Sequence, residues 1–324
     1  PGPAGPGICF VQAGLSMTAP ASASPSRDMV GQAIAITLVT IVVFGIQDAV
    51  SKILVTTYSP FQITMMRYWA FALFALWLVS RRAPIRHALR SKATGWQVLR
   101  GVLLIADIWC FALALRTVPL GELQAITLVY PLLVTLFAIP LLGEKVGLFR
   151  IGAVAAGFAG AMIIVRPGGL PLDWGVLFSL ASATCYALYI VVTRKVSQVD
   201  STATSMVYVG VVGLVLSSAI GVFFWQPMGW NDLALVGVIM VTGCAAHGLM
   251  MLALSKAPAS TLQPFNYFSL PWAILLSVFV FGHLIDPVSM IGAAVVVAAG
   301  LVVMMRERMK RVPAVVDPAL PGKE

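Results

Sequence analysis

The chain has 324 residues, of which 60% are hydrophobic and only 10% are charged. A soluble domain carries roughly 25% charged residues and about 45–50% apolar ones, and a mean hydropathy of +0.95 lies far outside that class. These figures exclude a cytosolic enzyme, a disordered chain and a nucleic-acid-binding domain. The net charge of +9 is spread between apolar segments rather than gathered on one face.

Residues 1–30 are rich in Pro, Gly, Ala and Ser, a composition that builds no packed core, and they read as a disordered N-terminal tail. The chain does not begin with Met. Met17 opens an ordinary leader, so residues 1–16 are expected to be a mis-assigned start or an expression remnant. The tail also lacks the order of a signal peptide, a charge followed by an apolar stretch. From Gly31 onward the chain is a train of ten apolar segments: 33–52, 61–80, 97–115, 120–142, 147–165, 174–193, 203–225, 232–254, 259–281 and 287–305. Each has about the 20 residues that cross ~30 Å of hydrocarbon as a helix. Membrane strands would be half as long and would alternate polar with apolar residues. The predicted fold is therefore an all-α integral membrane protein with ten transmembrane helices, closed by a basic tail at 306–324. Cys110, Cys185 and Cys244 fall inside apolar segments and no CxxC pair occurs, so the cysteines read as small apolar filler.

Positive charges set the orientation. With the N-terminus inside, all of the 21 Lys and Arg fall on the cytoplasmic side except Lys52, Arg67, Arg116 and Arg166. Both termini are predicted to be cytoplasmic, in an inner (plasma) membrane. The cluster from Arg81 to Arg100 reads as a solvated cytoplasmic loop that sets topology and touches anionic lipid.

The halves look like copies. Ala114-Leu115, Pro119, Leu123-Gln124 and Gly143 recur as Ala253-Leu254, Pro258, Leu262-Gln263 and Gly282. Gly152 and Ala159-Gly160 recur as Gly292 and Ala299-Gly300, one residue out of that register. Each half holds five segments, an odd number, so the second copy is expected to run inverted through the membrane. Inverted repeats are a signature of secondary transporters. The expected units are repeat 1 at 31–166 and repeat 2 at 173–305, around a central cavity.

The run ALRTVPLGELQAITLVYPLLVTLFAIPLLGEKV (114–146), followed by RIGAVAAGFAGAMIIVRPG (150–168), resembles the drug/metabolite transporter superfamily in its EamA-type ten-helix branch. A helix-end "AL…P", a proline in the fourth segment and a closing "GE" carry the likeness. The resemblance implies a secondary carrier of small metabolites that hydrolyses no ATP. Its relatives move amino acids, nucleosides, nucleotide sugars, vitamins or drugs, so no substrate is implied. In the second half His283 stands where the first has Glu144, which departs from the family pattern.

Charges at membrane depth are costly and persist when paired or facing water or substrate. Asp107 lies roughly 15 Å along the third segment from its cytoplasmic end, and His247 about 10 Å along the eighth. The two read as a titratable pair in the central cavity, or as polar ties between helices. Asp48 and Arg67 sit at matching depths near the outer end and read as an ion pair, either a gate or a static brace. Lys52, at i+4 from Asp48, competes for the same carboxylate. Pro131 and Pro140 in the fourth segment, and Pro264 and Pro271 in the ninth, mark helix breaks, the best sequence pointer to a transporter site. Around them lie Gln124, Thr127 and Tyr130, then Gln263, Asn266, Tyr267 and Trp272, with Trp109, Tyr186 and Tyr189 as further aromatic walls. The bland alternative places the rings in interfacial belts or helix packing. Ala153, Ala156, Gly157 and Gly160 in the fifth segment, and Gly292, Ala299 and Gly300 in the tenth, read as close-packing scaffold. Glu144 is expected to pair with Arg150.

Sequence motifs for a P-loop, a zinc protease or a serine-hydrolase elbow do not occur. The chain is therefore read as a transporter, not an enzyme, with no cofactor and no metal. The leading expectation is an alternating-access exporter of an amino-acid-like or aromatic metabolite, with proton coupling left open. One alternative is an uptake permease for a vitamin or nucleoside-type solute. Another, of a different class, is a membrane enzyme or a non-transporting partner protein. The expected partners are a small-molecule substrate and the lipid bilayer, with protons and a homodimer as open options.

Overall fold

The computed structural model describes residues 27–81, 90–143, 147–165, 173–257 and 259–311. Among them every regular element is a helix. The chain runs through α1 (Arg27–Val55), α2 (Pro60–Ser80), α3 (Thr94–Ala114), α4 (Leu120–Thr127), α5 (Tyr130–Leu142) and α6 (Leu148–Ile164). It continues through α7 (Trp174–Val196), α8 (Thr202–Gly221), α9 (Trp230–Lys256), α10 (Ala259–Leu262), α11 (Ser269–Phe281) and α12 (Pro287–Arg311). Nine spans among the described residues are long and apolar enough to cross a membrane. The fifth predicted segment corresponds to α6, whose apolar stretch Ile151–Ile164 is shorter. This is a multi-pass membrane protein. The tails at 1–26 and 312–324, the loop at 82–89 and the expected Glu144–Arg150 pairing fall outside the described residues.

Helix ends follow local chemistry. Ser59 caps α2 through the Phe61 N–H and is followed by Pro60, whose missing N–H costs nothing in a first turn. Asp173 and Ser201 cap α7 and α8 through the amides of Val176 and Thr204. α5 and α11 each end on a glycine in the left-handed region, Gly143 at φ 69° and Gly282 at φ 66°. A side chain there would be strained, so the matching glycines stop matching helices.

Both proline-bearing segments are interrupted. The fourth breaks between Thr127 and Tyr130, just before Pro131, which cannot donate to the preceding turn. The ninth runs through a 3-10 stretch at Gln263–Phe268 that contains Pro264. Pro140 and Pro271 lie inside α5 and α11 without ending them, so two of the four expected breaks are real.

The helices pair in a two-fold pattern. α1 packs on α9 as α7 packs on α3, α5 meets α7 as α11 meets α1, and α3 meets α8 as α9 meets α2. The remaining principal contacts, α2 to α8, α4 to α11 and α6 to α12, each join a segment of one half to its counterpart segment in the other. In lipid such contacts rest on close van der Waals packing. The α6–α12 contact brings backbones close together, because a Cβ on Gly160 would come within 2.8 Å of the Gly292 carbonyl and one on Gly292 within 2.6 Å of the Gly160 carbonyl. The expected scaffold role of these glycines fits that geometry.

Polar side chains tie the helix ends. Lys52 Nζ donates to the carbonyls of Leu115 and Val118 at 2.9 and 2.8 Å. Arg116 returns the arrangement, donating to Val55 O and Tyr58 O at 3.1 Å each. Lys52 is thus engaged at the C-terminal end of α3, where helix carbonyls lack partners, and does not compete for Asp48 as expected. His283 makes a further tie of this kind. Its Nε2 lies 2.8 Å from Oε1 of the buried Glu122, joining α4 to the turn after α11.

Candidate functional site

α1, α2, α3, α7 and α9, with the break between α4 and α5, enclose a cavity of about 410 Å³. Its lining stops at Phe71 on α2, Leu104 on α3, Tyr189 on α7 and Met250 on α9. In the other direction it runs as far as Val55, Pro60 and Leu115, at the end that the charge bias assigns to the outside.

Nine of the residues singled out in the sequence line this cavity: Asp48, Arg67, Asp107, Gln124, Thr127, Tyr130, Tyr186, Tyr189 and His247. Tyr186 and Tyr189 are stacked, with ring centroids 5.9 Å apart, and Tyr130 meets Tyr186 edge-on at 4.9 Å. This is a continuous aromatic wall. Asp107 Oδ1 accepts from Ser182 Oγ at 2.6 Å, which fixes the carboxylate against α7. His247 Nδ1 lies 2.8 Å from the Gly243 carbonyl. A carbonyl only accepts, so Nδ1 carries the hydrogen and Nε2 of the neutral ring is an acceptor. The imidazole packs against Phe44 and Phe71, at centroid distances of 5.5 and 4.8 Å. Asp107 and His247 therefore share one cavity but bond to Ser182 and Gly243 rather than to each other.

Asp48 and Arg67 also share the cavity, but among the described residues they form no ion pair. Arg67 is electrostatically coupled to Asp48, Asp107 and His247 alike. The expected brace is replaced by one guanidinium facing two carboxylates. Gly243 gives room to the neighbouring Gln47, because a Cβ there would lie 3.0 Å from Gln47 Oε1, while its 3.7 Å to Arg67 Nε is ordinary contact.

The other five expected residues lie elsewhere. Trp109 packs edge-on against Phe61 at 5.3 Å. Trp272 donates from Nε1 to the Val42 carbonyl at 3.2 Å and covers Gly45, so it ties α11 to α1. Tyr267 is buried over Gly300, where any larger residue would overlap its hydroxyl. Gln263 and Asn266 bond to each other at 3.3 Å within the 3-10 stretch. Of the polar residues around the two breaks, only Gln124, Thr127 and Tyr130 reach the cavity, while Gln124 Nε2 bridges to Ser269 Oγ at 3.0 Å.

The sequence reading passed over Gln47, Ser182, Tyr68 and Phe71, all of them on the lining. Gln47 neighbours an intramembrane carboxylate, a signal that was available; Ser182 carried none. Arg100 needs correcting. It is not part of a solvated loop but sits in α3 at 4% exposure, with Nη2 donating to Ser205 O at 2.6 Å. Among the described residues no group of three or more His, Cys, Asp or Glu is placed to hold a metal.

A family model described as the EamA-like transporter family matches residues 31–166 and again 173–305. The chain belongs to the EamA-like transporter family. A riboflavin transporter from Vibrio cholerae is 32% identical over 71% of this chain and 78% of its own. Another riboflavin transporter, from Rhizobium johnstonii, is 29% identical over 90% and 96%. An S-adenosylmethionine uptake transporter from Rickettsia prowazekii is 22% identical over 84% and 92%. A solved crystal structure superposes with a TM-score of 0.60 at 19% identity, covering 87% of this chain and 99% of that one, which supports the same fold. This EamA-family chain is thus a transporter of small metabolites.

Proposed function

We propose that this EamA-family protein takes up a flat nitrogen heterocycle carrying a hydroxylated chain, with riboflavin as the first candidate. The observation that carries the reading is the cavity itself. One wall is the Tyr130–Tyr186–Tyr189 array, and the remaining lining brings Asp48, Arg67, Asp107 and His247. Aromatic faces stack on a planar ring, while a few placed polar groups select its edge and chain. The volume of about 410 Å³ falls in the range of about 300–1,000 Å³ usual for small-molecule sites. The relatives' names supply riboflavin and S-adenosylmethionine, and both molecules join a flat heterocycle to a hydroxylated chain or sugar. This favours the vitamin-type uptake alternative over the expected export of an amino-acid-like solute.

The second repeat is proposed to run inverted, with alternating access arising as one group of helices rocks against the other. The two-fold pairing of the helices supports this. Asp107 is the proposed proton-coupling group, positioned by Ser182 and within the field of Arg67. Riboflavin fluorescence offers a direct test. Titrating purified protein into riboflavin should quench the flavin saturably as it stacks on the tyrosine wall, and unlabelled S-adenosylmethionine should compete weakly or not at all. Quenching that does not saturate, or that an aromatic amino acid reverses at lower concentration than riboflavin analogues do, would overturn the assignment.

A further inference from the structure

On α3 the cavity lining ends at Leu104, and Arg100 lies beyond it toward the start of the helix. The side chain is 4% exposed, one helical turn below Leu104 and two below Asp107 on α3. Nη2 donates to the Ser205 carbonyl of α8, and the guanidinium carbon lies 5.5 Å from the centre of the Tyr189 ring. Nε has no hydrogen-bond partner, and no carboxylate lies within ion-pair distance, among the described residues. A buried cation held by one carbonyl and one ring is weakly secured, because neither contact offsets its desolvation as a carboxylate would.

Two features make this contact a switch rather than a brace. The first is Tyr189, which belongs to the cavity lining and also carries the Arg100 cation, so the Arg100 contact and the ligand wall share a side chain. The second is the polar seam on the same interface. Gln97, one turn before Arg100, donates from Nε2 to Ser205 Oγ at 3.2 Å and to Asp200 Oδ2 at 2.9 Å. Asp200 also accepts from Ser91 Oγ and the Lys92 N–H. All these bonds join the start of α3 to α8 and the turn before it, and they break together if α3 parts from α8.

Building on the transport reading, we propose that Arg100, held between Ser205 O and the Tyr189 ring, is the latch that closes the cavity on its cytoplasmic side. Its release opens the cavity inward. Ligand stacked on the tyrosine wall alters the ring on which the latch rests, which links occupancy to opening.

The test reads access to the cavity without needing a substrate. Leu104→Cys places a thiol on the cavity lining in a background with Cys9, Cys110, Cys185 and Cys244 replaced by serine. Inside-out vesicles are treated with a membrane-impermeant maleimide. Arg100→Gln should raise the labelling rate about tenfold, the scale of losing a cation–π contact and a charge-assisted hydrogen bond. Arg100→Lys should fall between Arg100→Gln and the parent, and monodisperse elution of each variant checks its folding. Equal rates in all three proteins would overturn the latch. A second arm pairs Gln97→Cys with Ser205→Cys in the same cysteine-free background. Oxidation should stop riboflavin uptake and a reductant should restore it, whereas uptake continuing through the cross-linked protein would overturn the latch. If the parent protein takes up no riboflavin, the substrate assignment fails while the labelling arm still decides the latch.

Discussion

Tyr186 is the residue at which the ligand assignment is most exposed. It touches both Tyr130 and Tyr189, so removing it dismantles the wall rather than trimming it. Tyr186→Ala is expected to raise the KM for riboflavin about tenfold, within the ~1–3 kcal/mol typical of heterocycle–aromatic stacking. Trp272→Ala should behave oppositely. That ring ties α11 to α1 outside the cavity, so the variant should lose about 2 kcal/mol of stability, a few degrees in apparent Tm, with KM unchanged. Measuring both quantities on both variants separates site from scaffold. The contrast also shows what a sequence can say about single residues. Asp48, Arg67, Asp107 and His247 were legible because a charge at membrane depth demands water or a ligand. Trp272 and Tyr267 pack on other helices and Gln263 and Asn266 bond to each other, although all four sit at the right break, and the face a membrane helix presents depends on packing, since these helices are apolar all round. Arg100 was misread for a related reason: a basic residue near a helix end resembles a topology signal whether it points to solvent or into the bundle.

At the scale of elements, caps and close approaches decide stability. Gly143→Ala and Gly282→Ala each force a side chain into the left-handed region and should cost about 1–2 kcal/mol apiece, read as a lower apparent Tm in detergent. Gly160→Ala should cost more than Gly152→Ala, because a Cβ at 160 meets the Gly292 backbone while one at 152 meets nothing within 4 Å. The turn before α8 supplies a pH dependence. Burial pushes the Asp200 carboxyl up, but hydrogen bonds from Ser91, Gln97 and the Lys92 N–H, with the Lys92 charge, outweigh it and hold the group below its ordinary value. A carboxylate lowered by folding stabilises the fold above its unfolded pKa of about 3.9 and loses that contribution as pH falls through the folded value. Apparent Tm should therefore drop below about pH 4, and Asp200→Asn should flatten that part of the curve. Element positions were readable in the sequence because hydrocarbon thickness sets helix length. Pro140 and Pro271 were not readable as helix-compatible, since a proline's effect depends on how neighbouring helices satisfy the freed carbonyl.

Among the described residues the helices pair two-fold, and the cavity between them draws its walls mostly from α1, α2, α3, α7 and α9. The duplicated pair Gly143 and Gly282 made part of that architecture visible in advance, since each ends its helix in the left-handed region. What one sequence could not supply was the substrate, because fold does not carry function and the cavity surface is assembled from segments far apart in the chain. We propose that this cavity carries riboflavin inward, with Asp107 coupling the movement to protons. The most direct measurement is uptake of radiolabelled riboflavin into proteoliposomes, with and without an imposed pH gradient, for the native chain and Asp107→Asn. The native chain should show saturable uptake that the gradient accelerates, and Asp107→Asn should bind riboflavin but no longer respond to the gradient. Uptake unaffected by excess unlabelled riboflavin, or an equal response to the gradient in Asp107→Asn, would contradict it.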